Sequence, residues 1–336
     1  MSFGTIVIGR NEGHRLTQCL TAALQAGGPV VYVDSASNDG SPLVARRLGA
    51  EVIELSTPPH TAARGRQAGF DFLTARHPSM KYVQFVDGDC VIDGKWLFTA
   101  PRFLEANPKV AAVSGRRREE HTAESFWSRL IDLDWDIPAG LVGYPGGDSL
   151  CRVDAIKLVG GWDVDLIAGE DPDLGFRLCD AGWRVSRLAD EMTRHDMRIV
   201  SLGQYMKRAV RSGHAYAEIG WRHRRGSGNL YARRAAGIFF YAAVLPAVAA
   251  IGLVLWPPSL LLPLLIYLRL LWSGYRLCRR KAATNSLALA YSALNLLCKF
   301  AGLLGAAKFC RNFLAGKRTP LIEYRSHSVG PPGISA

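Results

Sequence analysis

Apolar residues fall along this chain in two rhythms. In the first third they form short unbroken runs separated by helical spacing. Thr5-Ile6-Val7-Ile8 is followed by residues 13–26, with Leu16, Cys19, Leu20 and Leu24 at helical intervals, and then by Pro29-Val30-Val31-Tyr32-Val33, which ends at Asp34. The order repeats with a helix over 41–48, a strand at Glu51-Val52-Ile53-Glu54-Leu55, a helix over 61–76 and a strand at Tyr82-Val83-Gln84-Phe85-Val86. Unbroken apolar runs predict strands covered on both faces. The βαβαβαβ order predicts an α/β fold with a largely parallel, doubly wound sheet. Residues 116–200 are less regular, with loops at Gly146-Gly147-Asp148, Gly160-Gly161-Trp162-Asp163 and Gly169-Glu170-Asp171. A helix is predicted over 172–181, with Pro172 in its first turn and Gly182 after its end.

After Ala235 the rhythm changes. Residues 236–256 carry no charge, Trp256-Pro257-Pro258 stops a helix, and residues 259–275 are again apolar with Arg269 as the only charge. Two such segments joined at a Pro-Pro turn predict a membrane hairpin, with Arg269 near enough to one end to snorkel. A third stretch, 286–306, contains Asn295 and Lys299 and predicts either a third span or an in-plane helix. The alternative for all three is buried core helices. The tail from Pro331 is predicted to be disordered.

Charge sharpens this picture. The net charge is +12, and Arg222, Arg224, Arg225, Arg233, Arg234 and then Arg276, Arg279, Arg280, Lys281 crowd the flanks of the apolar segments. Basic flanks on both ends of a hairpin fit an anionic membrane surface with both ends in the cytosol. No nucleic-acid-binding motif accompanies them, so no nucleic-acid partner is expected. The seven cysteines form no Cys-x-x-Cys pair and their count is odd, which argues against a zinc ribbon and a disulfide framework. The chain enters a strand at once, without a basic-then-apolar leader, so no signal peptide is expected.

In doubly wound sheets ligands bind outside the carboxyl ends of the strands. Arg10, Asn11, Glu12, Asp34, Asp87 and Asp89 all lie at or just after such ends. Asp87-Gly88-Asp89 places two carboxylates one residue apart. That pattern suits either a cation between protein and diphosphate or a simple Asp-Gly turn closing a strand.

Taken together, Ile6-Val7-Ile8-Gly9-Arg10-Asn11-Glu12, Val33-Asp34-Ser35-Ala36-Ser37-Asn38-Asp39-Gly40-Ser41, Ala63-Arg64-Gly65-Arg66-Gln67-Ala68-Gly69, Val86-Asp87-Gly88-Asp89, Gly161-Trp162-Asp163 and Gly169-Glu170-Asp171 resemble the motifs of inverting family-2 glycosyltransferases, over roughly residues 3–215. The resemblance implies a GT-A fold, a nucleotide-sugar donor and a divalent cation, Mg2+ or Mn2+. It implies Asp89 as metal ligand, Asp87 on the metal through water or on the ribose, and His195 completing the metal sphere. Glu12, Asp34 and Arg10 would meet the nucleotide, Arg64 and Arg66 the diphosphate, and Asp148 the sugar. Asp171 is the expected base, with Glu170 as fallback; the alternative for Asp171 is a helix N-cap before Pro172. Gln204-Tyr205-Met206-Lys207-Arg208-Ala209 resembles the Gln-x-x-Arg-Trp signature of processive members but has Ala209 in place of tryptophan, which implies a single transfer.

The organisation expected is a catalytic domain over 1–215, a basic interfacial linker or helix over 216–235, a membrane hairpin with a third transmembrane or in-plane helix over 236–310, and a cytosolic tail over 311–336. The function expected is metal-dependent, inverting transfer of one sugar from a UDP-linked donor to a membrane-held acceptor such as a polyprenyl-linked glycan, at the cytosolic face of an inner membrane. A glycolipid or protein acceptor, and a catalytically silent nucleotide-sugar-binding subunit, are the alternatives.

Overall fold

The computed structural model describes residues 3–226 and 228–322; the tail from Pro331 lies outside the described residues. The first half follows the predicted alternation: β1 (Phe3–Gly9), α1 (His14–Leu24), β2 (Val30–Asp34), α2 (Ser41–Leu48), β3 (Glu51–Glu54), α3 (Ala62–Arg76) and β4 (Tyr82–Asp87). Then come β5 (Cys90–Ile92), α4 (Trp96–Ala106), β6 (Val110–Glu119), α5 (Phe126–Trp135), β7 (Gly140–Val142), β8 (Ser149–Arg152), α6 (Val153–Leu158), α7 (Glu170–Asp180), β9 (Arg184–His195) and α8 (Leu202–Arg222).

These strands form one sheet in the order β3-β2-β1-β4-β8-β6-β9-β5, with β7 beside β9. The four strands β3, β2, β1 and β4 are parallel, as the apolar runs predict. Beyond β4 the sheet is mixed: β8 runs antiparallel to both neighbours, while β6 and β9 are parallel to each other. Alternate residues feed two cores. Val7, Tyr32 and Val86 face Leu16, Leu20 and Trp96 on one side. Ile6, Ile8, Val33 and Phe85 face Ala63, Phe70, Trp162 and Leu174 on the other. The architecture is GT-A-like, a mostly parallel sheet flanked by helices.

Four further helices follow: α9 (Asn229–Phe239), α10 (Leu245–Leu255), α11 (Leu261–Arg280) and α12 (Asn285–Leu314). A π-helical turn at Phe240–Val244 joins α9 to α10, and a 3-10 turn at Pro257–Leu260 makes the predicted Pro-Pro corner. By length and composition, Asn229–Leu255, Pro257–Arg280 and Asn285–Leu314 could each cross a membrane. The expected boundary after residue 215 falls inside α8, because that helix continues unbroken to Arg222. Residues 216–235 take in the end of α8 and the start of α9.

α8 and α12 pack closely through small residues. A methyl group on Gly213 would overlap the backbone of Gly302, and one on Gly305 would overlap the Val210 carbonyl. Glycine is needed here for space, since a side chain at either point would push the helix axes apart.

Candidate active site

The acidic turn is set by a close approach. The Gly88 N–H donates to the Ile8 carbonyl at 2.7 Å, and a Cβ on Gly88 would come within 3.2 Å of that oxygen and of Glu12 Cγ. Gly88 does not take a left-handed φ, so its role is to bring the end of β4 against the end of β1. This contact places Asp87 and Asp89 beside Glu12.

Asp89 is buried, and its Oδ2 lies 3.3 Å from Nε2 of His195. His195 is the last residue of β9, and the sheet register sets it directly opposite Cys90 of β5 and Glu119 of β6. The Nδ1 of His195 is 3.2 Å from Glu119 Oε2, while Glu119 Oε1 accepts the Met197 N–H at 2.7 Å. Burial pushes the His195 pKa down, but Asp89 and Glu119 outweigh it and raise it to about 9. Donor atoms of Asp89, Cys90 and His195 lie within 4.8 Å of one another. Burial and the surrounding carboxylates push the Cys90 thiol well up. The Asp89 carboxylate and the His195 imidazole, which would release its proton to a cation, are a donor set that fits Mn2+ or Mg2+.

Arg66 of α3 is the hub of the opposite wall. It is buried, with Nη2 2.8 Å from Asp87 Oδ1 and Nη1 2.9 Å from Glu170 Oε1 and 3.2 Å from Asp171 Oδ1. Burial pushes Asp87 up, yet Arg66 and Arg117 together hold it below the ordinary carboxylate range. Asp171 goes the other way. Burial, then Glu170 and Asp87, raise it against Arg66 and Arg117 to about 7. A carboxyl at that value can take a proton near neutral pH.

Glu170 and Asp171 occupy the first turn of α7, which begins two residues earlier than predicted. The N-cap is Gly169, not Asp171. Gly169 has a φ of 85°, and a Cβ there would stand 2.7 Å from Ile219 Cγ1 of α8. Both the left-handed backbone and this contact require glycine, and both fix where Asp171 projects.

Other expected residues divide sharply. Arg10 and Glu12 line the cavity, with Glu12 Oε2 2.6 Å from Arg15 Nη2. Asp34 is held inward, accepting from the Tyr32 hydroxyl and the Ser37 N–H, each at 2.8 Å. Arg64 turns away and donates to the Thr57 and Pro59 carbonyls, so of Arg64 and Arg66 only Arg66 reaches the cavity. Asp148 is not a surface for sugar either. Its carboxylate is fully buried, accepting from the Asp87 N–H at 3.0 Å, Arg117 Nε at 2.9 Å and Thr193 Oγ1 at 2.8 Å. It fixes Asp87 and Arg117 instead.

The cavity these groups enclose has a volume of about 660 Å³. Its polar floor holds Asp87, Asp89, Glu170 and Asp171. Arg208, Arg211 and Tyr216 of α8 and Tyr231 of α9 form the far wall, and Leu321 and Ile322 come back to its rim. Sequence reading missed Arg117, Glu119 and Trp135. The Arg117 guanidinium lies 4.9 Å from the Trp135 ring centroid, and that ring meets His195 edge-on at 4.5 Å. Arg117 and Glu119 alternate along β6 after Val110-Ala111-Ala112-Val113, so extending that strand through the charged run would have found them.

Comparison with known proteins decides the family. The model of glycosyl transferase family group 2 matches residues 82–302, and that of glycosyl transferase family 2 matches residues 5–146. The chain belongs to glycosyltransferase family 2. A curated relative of this family-2 chain is the pre-mycofactocin glycosyltransferase of Mycobacterium tuberculosis, 29% identical over 237 residues, covering 65% of this chain and 48% of the relative. Another is glucomannan 4-beta-mannosyltransferase 7 of Arabidopsis thaliana, 26% identical over 203 residues, covering 54% of this chain and 36% of the relative. The chain thus spans about half or less of the length of these relatives. Among solved structures, a mannosyltransferase of Pyrobaculum calidifontis in complex with GDP-Man and Mn2+ aligns with a TM-score of 0.59 at 17% identity, covering 92% of this chain and 87% of that one. TarS 1-349 of S. aureus in complex with UDP-GlcNAc aligns at 0.51 and 15% identity, covering 99% and 98%. These likenesses support the GT-A-like fold.

Proposed function

We propose that this family-2 chain catalyses a single, inverting, metal-dependent glycosyl transfer from a nucleotide-sugar to an acceptor held at the membrane. The observation that carries the proposal is the placement of Asp171, with its pKa raised to about 7, in the same cavity as Asp89, which is backed by the buried His195. Asp89 and His195 would hold the cation, which supplies charge neutralisation at the leaving diphosphate when bound. Asp171 accepts the proton of the acceptor hydroxyl as that oxygen bonds to the anomeric carbon and the bond to the diphosphate breaks. One displacement of this kind inverts the anomeric centre. Arg66 holds Asp171 in place and keeps Asp87 ionised. Arg10 and Glu12 stand where the nucleotide enters.

A UDP-linked donor and a polyprenyl-linked acceptor are our reading of substrate. The acceptor rests on the cavity wall formed by α8 and α9, the latter leading directly into the apolar hairpin. A site beside the bilayer raises the local concentration of a lipid-held acceptor. The basic flanks of that hairpin support a catalytic unit on the cytosolic face of an inner membrane. The Pyrobaculum neighbour bound to GDP-Man and the glucomannan mannosyltransferase favour a second reading of the donor, GDP-mannose.

The test is metal-dependent donor hydrolysis and transfer with a panel of UDP- and GDP-sugars, run on wild type, Asp89→Ala and Asp171→Asn. Loss of transfer in both variants is expected. Turnover near wild type in both overturns the site assignment. No turnover of any donor by the wild type, despite nucleotide binding, favours the silent binding subunit.

A further inference from the structure

The helix α12 is 30 residues long, about 45 Å, and apolar enough to cross a membrane. Its packing places it elsewhere. Leu294 and Cys298 pack on the cluster that holds Tyr205, Gly302 meets Gly213, Gly305 meets Val210, and the Phe309 and Phe313 rings meet His214 and Trp221 at 5.6 and 5.7 Å. Contacts in this order mean that α12 runs beside α8 along the whole of it, in the same direction. α8 carries Lys207, Arg208, Arg211, Glu218 and Arg222, and its other face lines the catalytic cavity. If α12 crossed the bilayer, α8 and that cavity would enter the hydrocarbon with it. Each charge at the centre of a span costs roughly 2.5–3.5 kcal/mol even on insertion scales.

Both ends of α12 are also tied to the catalytic unit. Near its start the Tyr291 hydroxyl donates to Asp134 Oδ1 at 2.7 Å, and just ahead of it Lys281 Nζ donates to the Leu133 carbonyl at 2.6 Å. Beyond its end Arg318 pairs with Asp165 at 2.9 Å, and Leu321 and Ile322 reach the cavity rim.

The outward face is apolar. Leu289, Ala293, Leu297, Phe300, Leu304 and Ala307 are all exposed, at intervals of four, four, three, four and three residues, which is one helix face. Ala288, Ser292, Gly302, Gly305 and Ala306 are buried on the other. The exposed stripe continues the surface of the hairpin, since Gly274 of α11 abuts Ser292 and Ile238 of α9 abuts Gly302.

We infer that α12 lies in the plane of the membrane on the catalytic side, with this stripe immersed among phospholipid acyl chains just below the headgroups, and that only the apolar hairpin that leaves the end of α9 and returns through α11 crosses. An in-plane helix with one apolar face and small residues beneath it seals the catalytic unit onto the bilayer. The inference concerns attachment and stands apart from the transfer chemistry proposed above.

Limited trypsin digestion of the wild-type protein in sealed vesicles of each orientation tests it first. Lys317 and Arg318 should be cut only from the side on which the catalytic unit is cut; cleavage only from the opposite side overturns the inference. Spin labels at Leu289, Leu297 and Leu304 then report depth. Shallow immersion, equal at all three sites, is expected. A depth that runs from one surface through the centre to the other, or labels that read as water-exposed, overturns it.

Discussion

Glu119 and His195 face each other across β6 and β9, with Glu119 Oε2 3.2 Å from His195 Nδ1. The pair holds the imidazole so that Nε2 points at Asp89. A carboxylate behind a metal-binding histidine fixes its tautomer and orientation, and losing it typically weakens metal binding 10- to 100-fold. Glu119→Ala should therefore weaken Mn2+ binding by about that factor, measured by calorimetry on donor-free protein. Glu119→Gln, which keeps an acceptor oxygen, should fall between. Unchanged Mn2+ affinity in the alanine variant would separate Glu119 from the cation site.

Replacing Asp171 with Asn removes the proton acceptor while keeping the side chain's shape. Transfer should fall by about 10²- to 10⁴-fold with little change in donor KM.

The wild-type rate should also depend on pH in a defined direction. Asp171 must be ionised to accept a proton, so kcat should climb as pH rises through about 7 and level off above it. Stability moves oppositely. Between the ordinary aspartate range and about 7 the folded state keeps a proton that the unfolded chain has released, so this group's contribution declines as pH rises through that window. A kcat flat from mildly acid to mildly alkaline pH would exclude Asp171 as the base.

Arg66 is shared by Asp87, Glu170 and Asp171. Arg66→Met leaves these carboxylates inside the protein without their common cation, and unfolding should become easier by about 3–5 kcal/mol, visible as a lowered Tm in detergent. The kcat–pH rise should move upward as well, because Arg66 opposes the elevation of Asp171. Arg66→Lys keeps the charge but not the fork, and should restore stability more than rate.

Gly305→Val tests the helix contact. The new side chain would overlap the Val210 carbonyl, and overpacking of this kind costs about 1–3 kcal/mol. Thermal unfolding should shift down, while Ala307→Val on the exposed face should leave it unchanged.

The strands β1 to β4 were legible because a two-sided buried strand writes itself as an unbroken apolar run, and a doubly wound sheet gathers the residues after such runs. Asp87 and Asp89 follow from that logic, whereas Arg66 and Asp171 rest on the family resemblance. Asp34 and Asp148 show its limit. Their type and position fit ligand contact, but Asp34 is taken up by the Tyr32 hydroxyl and the Ser37 N–H, and Asp148 by Arg117 of β6 and Thr193 of β9, partners far away in sequence. Glu119 was hidden for the same reason, inside a charged run that looks like a surface loop until β9 pairs with it. The apolar content of α12 likewise says nothing of whether it crosses or lies flat. That is decided by the glycines it presses against α8.

Ile219 touches Gly169, the residue that launches Glu170 and Asp171 into the cavity. A water-soluble fragment ended at residue 215 would lose this brace, along with Tyr231 and the partner helix for the Gly213 face. Kinetics measured on such a fragment would describe a reaction chamber missing a wall. A fragment made for biochemical work should therefore keep α8, α9 and α12.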